Sequence, residues 1–138
     1  WYHVLVISFF AFITTLIREI IKDPEDYEGD KEYGCSTLPI VLGKTTAKII
    51  VVVIALFTMF CLGYFQVAFQ WRHKDWLSFY YFLAALQLPF AFLIYKILTA
   101  LSPGQLRFAG NLTKGIMLAG VCYLFIFAYQ QLQFTNAL

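Results

Sequence analysis

The stretch Ile49–Phe69, IIVVVIALFTMFCLGYFQVAF, carries no charge and only one amide. About 20 predominantly apolar residues are what a helix needs to cross a hydrocarbon core. Lipid offers no hydrogen-bond partner to open backbone, so such a run must satisfy its own N–H and C=O groups as a helix. Three similar runs flank it. Trp1–Ile17 reads as the latter part of a spanning helix whose start lies before Trp1, and Trp76–Ile97 and Leu112–Leu132 read as two more spans. The predicted fold class is therefore all-α, an integral membrane multi-helix bundle with about four transmembrane helices, its surface in contact with the lipid bilayer. Pro89, inside the third run, predicts a kink whose freed carbonyl a neighbouring helix or water must satisfy.

Composition points the same way. The 138 residues are 61% hydrophobic, 20% aromatic and 13% charged, with a mean hydropathy of +0.72. An ordinary soluble domain has about 25% charged residues. A chain this short cannot hide so much apolar surface within one globule. The net charge of +2, with no isolated basic cluster, excludes a nucleic-acid partner. Cys35, Cys61 and Cys122 fit neither a zinc spacing nor a disulfide framework.

The basic residues orient the spans. Arg18, Lys22, Lys31, Lys44 and Lys48 fall in the segment after the first span, and Lys96, Arg107 and Lys114 in and around the link between the third and fourth. Opposite them stand only Arg72 and Lys74. The positive-inside rule predicts that segment 18–48 is a cytoplasmic loop and that the C-terminus is outside. Trp71 and Trp76 bracket the opposite link, where indoles suit the interface.

The chemistry concentrates in Arg18–Lys48. All acidic residues except Asp75 fall there: Glu19, Asp23, Glu25, Asp26, Glu28, Asp30 and Glu32. A solvated surface loop would also be acidic, but the spacing adds something. Asp23, Asp26 and Asp30 are three and then four apart, which on a helix places three carboxylates on one face. Like charges so placed repel, and a bound cation would relieve them. Oxygen-only ligands suit Mg²⁺ or Ca²⁺ rather than zinc. An EF-hand fails, because alignment on Asp26, Glu28 and Asp30 puts Lys31 where the turn glycine belongs. Asp23 has a second reading as N-cap of a helix opened by Pro24. Arg18 and Lys22, one turn apart at the membrane boundary, read either as positive-inside anchors or as ligands for an anionic substrate. Gly29, Gly34, Pro39 and Gly43 shape the remainder by turns and helix boundaries.

Other features weigh less. His3 and His73 stand near an end and in an interfacial link, Asn111-Leu112-Thr113 fits a glycosylation sequon on the predicted cytoplasmic side, and Gln66, Gln70 and Gln87 suit hydrogen bonding between helices.

The segment R-E-x-x-K-D-x-E-D-x-x-G-D from Arg18 to Asp30, followed by T-L-P-I at 37–40, resembles the second aspartate-rich motif of the UbiA superfamily of prenyltransferases. Asp26-x-x-x-Asp30 corresponds to that family's DxxxD, and the longer form is most similar to digeranylgeranylglyceryl phosphate synthase-like members. The resemblance is dense over residues 18–47 and elsewhere rests on the pattern of spans. It implies a mechanism. A polyprenyl diphosphate, geranylgeranyl in the closest members, is held through Mg²⁺ by Asp23, Asp26 and Asp30 with Arg18 and Lys22 at the diphosphate, and its prenyl group passes to a lipid or aromatic acceptor. The family's first motif, of N-D-x-x-D type, is absent from these residues. Residues 1–138 are thus expected to be the C-terminal part of one transmembrane prenyltransferase domain, with half the metal site and no activity alone. A cation-conducting or transporting protein with an acidic cytoplasmic vestibule is the alternative, although ionisable residues within the spans would then be expected.

Overall fold

The computed structural model describes residues 2–72 and 74–136. Trp1 and His73 lie outside them, as does the side chain of His3. Among the described residues there is no strand, and four helices are long and apolar enough to cross a membrane. The all-α bundle expected from the hydropathy pattern is what forms.

Helix α1 (Tyr2–Glu25) is followed by two short helices, α2 (Tyr27–Glu32) and α3 (Leu38–Leu42). Helix α4 (Lys44–Phe65) runs straight into a π-helical turn, Gln66–Trp71. After a tight link, α5 (Trp76–Tyr81), a second π turn (Phe82–Gln87) and α6 (Leu88–Thr99) form one continuous rod, and α7 (Pro103–Asn136) completes the bundle.

Each long helix buries one stripe and gives the rest to lipid. On α1 the buried positions are Phe10, Ile13, Thr14, Ile17, Ile20, Ile21 and Pro24, and on α7 they are Leu106, Ala109, Thr113, Ile116, Gly120 and Tyr123. The α7 spacing alternates threes and fours, the period of a helix–helix seam, and α1 with α7 is the most extensive contact in the molecule. Small residues let helices approach in lipid, where no hydrophobic force draws them together. Gly120 shows how close this approach is. A Cβ there would lie 2.3 Å from the ring of Phe10. Large apolar side chains such as Leu56, Phe57 and Phe60 on α4 are exposed, as expected of a surface that lipid covers.

Buried threonines cause no penalty. Thr14, Thr58 and Thr113 each donate to the carbonyl four residues earlier, at 2.8, 2.8 and 2.9 Å, which satisfies the hydroxyl within its own helix.

The sequence reading differs from the structure at the span ends. Helix α1 continues well past Ile17 through Arg18, Lys22 and Asp23 to Glu25, and α7 begins at Pro103 rather than at Leu112, so Arg107 is helical rather than in a link. The link is only Ala100-Leu101-Ser102. Charge excludes a residue from the hydrocarbon, but not from a helix whose backbone bonds are internal. Pro89 sits at the start of α6, directly after the second π turn. Proline lacks the N–H for the carbonyl four residues back, and π turns are a common way for a helix to absorb such a fault.

At the end of the bundle away from α2 and α3, the amides expected to pair between helices do so in part. Gln66 Nε2 donates to the carbonyl of Phe79 at 3.0 Å, and Gln87 Nε2 donates to Gln66 Oε1. Gln70 is buried, and its backbone carbonyl accepts from Asp75 N–H at 2.9 Å. Asp75 caps α5 by accepting from Ser78 N–H at 3.1 Å and also accepts from Gln130 Nε2 at 2.7 Å. The Tyr123 hydroxyl donates to Ser78 Oγ at 3.1 Å. Trp71 and Trp76 meet edge to face, with centroids 5.1 Å apart, across the link they were expected to bracket.

Candidate functional site

The acidic segment is built on the end of α1. Asp23 is inside this helix, so its reading as an N-cap is corrected: α1 passes through Pro24 to Glu25, and Asp26 takes the N-cap position of α2. Proline near a helix start is favourable, yet here the preceding turns are already helical and packed by Ile17, Ile20 and Ile21, so the helix carries on through it. The chain bends at Asp26 without losing its helical bonding. Asp26 N–H donates to the Lys22 carbonyl at 3.0 Å, and Asp30 N–H to the Asp26 carbonyl at 3.0 Å.

The three aspartates therefore stay near one another, and Asp23 feels the charge of both Asp30 and Asp26. They are not equivalent. The Asp23 carboxylate faces the Leu38 N–H at the start of α3, which favours its charged form. Asp26 is exposed, makes no side-chain capping bond, and Asp30 is half-buried. Among the described residues, no three His, Cys, Asp or Glu side chains converge as metal ligands. This arrangement still fits Mg²⁺. That ion is usually held by one or two carboxylates, with substrate phosphates and water completing its octahedron, and Asp26 and Asp30 are two oxygen donors left uncommitted by the fold.

Beside the carboxylates is a cleft of about 260 Å³, lined by Arg18, Lys22, Glu25, Arg107, Gly110, Asn111 and Lys114. Two matched stripes form it. Arg18, Lys22 and Glu25 are four and three apart on α1, and Arg107, Asn111 and Lys114 are four and three apart on α7, so each set lies along one helical face. Arg107 Nε donates to Glu25 Oε1 at 2.8 Å across the cleft. Arg18 pairs with its neighbour Glu19 at 2.5 Å. Lys114 Nζ donates to Asn111 Oδ1 at 3.2 Å.

Arg18 and Lys22 were singled out in the sequence. Arg107, Asn111 and Lys114 were not placed in a site, although their own spacing already marks a single helical face. What sequence could not supply was the crossing of α1 and α7 that brings them opposite Arg18 and Lys22.

Lys44 and Lys48 brace the surroundings. Lys44 Nζ lies 3.3 Å from Glu28 and 3.9 Å from the Tyr27 ring centroid, holding α2 against the start of α4. Lys48 Nζ donates to the carbonyl of Ala100 at the end of α6, a favourable place for a cation beside the negative end of a helix dipole.

The family model for UbiA prenyltransferases matches residues 1–113. The chain belongs to the UbiA prenyltransferase family. Among curated relatives of this UbiA chain are three proteins named digeranylgeranylglyceryl phosphate synthase. That of Methanosphaera stadtmanae is 49% identical over 53 residues, 38% of this chain and 20% of the relative. That of Haloquadratum walsbyi is 40% identical over 72 residues, 48% and 25% of the two chains. That of Pyrococcus horikoshii is 47% identical over 49 residues, 36% and 18%. The UbiA chain thus covers about a quarter or less of the length of these relatives. No solved structure matches it.

Proposed function

We propose that this chain carries the second aspartate-rich half of a Mg²⁺-dependent prenyltransferase, which moves a polyprenyl group from its diphosphate to a lipid acceptor. The observation that carries the reading is the side-by-side placement of uncommitted Asp26 and Asp30 and the cationic stripe of Arg18 and Lys22 at one end of an apolar bundle, within a UbiA family chain. The names of the relatives favour a geranylgeranyl donor and a glyceryl phosphate lipid acceptor over an aromatic one.

Asp26 and Asp30 hold the metal, and Asp23, facing the Leu38 N–H, adds negative potential beside them. Mg²⁺ supplies Lewis-acid neutralisation of the leaving diphosphate. Lys22 and Arg18 lie about one and two turns before Asp26 and offset the charge that grows on the diphosphate as its bond to the allylic carbon breaks. The bonding pair leaves with the diphosphate, the acceptor oxygen attacks the allylic carbon, and the acceptor hydroxyl proton is released. The apolar bundle takes the isoprenoid chain. The remaining metal-binding carboxylates implied by the family pattern are not among these 138 residues, whose one acidic residue outside segment 18–48, Asp75, caps α5 at the opposite end. Segment 18–48 is on the cytoplasmic side in this reading and the C-terminus is outside. The described buried polar side chains are Thr14, Thr58, Gln66, Gln70, Ser78 and Thr113, all uncharged, which disfavours an ion pathway.

The test uses membranes bearing the full-length polypeptide, labelled geranylgeranyl diphosphate, Mg²⁺, and geranylgeranylglyceryl phosphate and 4-hydroxybenzoate as parallel acceptors. Asp26→Asn is expected to lower transfer about 100-fold or more, on the order of one missing transition-state charge contact. Transfer that survives both this variant and chelation would sink the proposal.

A further inference from the structure

We propose that the cleft between α1 and α7 is a metal-independent seat for the phosphate monoester of the acceptor, clamped by Lys114 with Arg107 and by Lys22, which stands between this seat and the donor diphosphate and serves both. This rests on the prenyl-transfer reading above and assigns a second anion site to it.

The lining decides which anion belongs there. None of Asp23, Asp26 and Asp30 lines the cleft, so a diphosphate bridged to those carboxylates through Mg²⁺ does not have its metal here. The cations of the cleft also differ in what they have left to offer. Arg18 is paired with Glu19 and Arg107 with Glu25. Lys22 and Lys114 have no acidic partner among the described residues; Lys114 meets only the Asn111 amide oxygen. Two uncompensated ammonium groups on facing helices suit a dianion, the charge of a phosphate monoester near neutral pH. The Arg107 guanidinium at the rim has further N–H donors beyond the Nε that Glu25 takes. The Asn111 amide adds a donor and acceptor suited to a glyceryl hydroxyl. A neutral aromatic acceptor has no use for any of these.

The position suits an acceptor as well. Lys22 is four residues before Asp26, about 6 Å along the helix, so a phosphate held at the cleft places its lipid next to a donor held at the carboxylates. Beneath the cleft, Ile17 and Ile21 are buried and Gly110 lets α7 come close to Ile21, whose side chain lies 3.9 Å from where a Cβ would stand.

The experiment has a binding arm and a kinetic arm, both on the full-length polypeptide in detergent. In EDTA, glycerol phosphate is expected to bind the wild-type protein, with glycerol at equal concentration giving no signal. Lys114→Gln should weaken that binding about tenfold, the scale of one charge-assisted hydrogen bond, and Lys114→Arg should retain most of it. In turnover, Lys114→Gln should raise KM for the phosphate acceptor about tenfold and leave KM for geranylgeranyl diphosphate within about twofold, by the same logic of uniform binding. No glycerol phosphate binding by the wild type in EDTA would overturn the proposal, as would a rise in donor KM with acceptor KM unchanged. The binding arm needs neither metal nor turnover, so its outcome is separate from that of Asp26→Asn. If Lys114→Gln fails to fold, the wild-type comparison of glycerol phosphate with glycerol and Lys114→Arg still decide.

Discussion

Replacing Gly120 by alanine tests the α1–α7 crossing on which the cleft depends. The added methyl would stand 2.3 Å from one ring carbon of Phe10 and 2.7 Å from the next. Carbon atoms in contact rest about 3.5–4.0 Å apart, so the helices or the ring must move by more than about 1 Å. The ring has little room to yield. Phe10 is 3% exposed and stands edge-on to Phe90 with centroids 5.9 Å apart. Overpacking of this kind costs about 1–3 kcal/mol. Equilibrium unfolding of the full-length protein in mixed micelles titrated with SDS should show a loss of that size for Gly120→Ala. Phe10→Leu, combined with it, should return part of the loss, giving a coupling energy of opposite sign to the single changes. A neutral Gly120→Ala with no coupling to Phe10 would refute the close approach of the two helices.

Two further outcomes follow from the polar end of the bundle. Gln66→Leu leaves the Phe79 carbonyl and the Gln87 amide without their present partners, and should cost about 1–2 kcal/mol in the same titration, the range for hydrogen bonds between membrane helices; a neutral result would show that these contacts are made only in passing. Asp75→Ala removes both the α5 cap and the acceptor for Gln130, and should lower stability by about 1 kcal/mol while leaving glycerol phosphate binding unchanged. Loss of that binding would mean that the two ends of the bundle are coupled.

Much of the fold is legible in the sequence because lipid enforces a simple rule. A run such as Ile49–Phe69 has no alternative to a spanning helix. The ends of the spans are less legible, since hydropathy reports where lipid stops and not where backbone bonding stops. Arg18, Lys22, Arg107 and Lys114 all lie on helices that continue beyond the hydrocarbon. The carboxylate stripe is local, and three-and-four spacing reveals it. The surroundings of Asp23 are not local either, because the Leu38 N–H that it faces comes from the returning chain. The cleft is the least legible of all. Glu25 and Arg107 are 82 residues apart, and only the packing of α1 on α7 makes them neighbours. The π turns leave only indirect marks, Pro89 near one and buried Gln66 and Gln70 in the other.

The second π turn also fixes the rotational phase of everything after it. An ordinary helix turns about 100° per residue, and a π turn is where a rod takes in an extra residue without rotating its far half out of place. Phe90, Leu93 and Ile97 on α6 face inward because Phe82–Gln87 absorbs that surplus. Removing a single residue there would restore uniform winding and swing all three toward lipid. Lys96 would swing with them, carrying its charge away from Phe108 on α7, whose ring centroid lies 5.6 Å from its ammonium. The six residues thus act as a vernier between the two ends of the protein, and their count matters more than their identity.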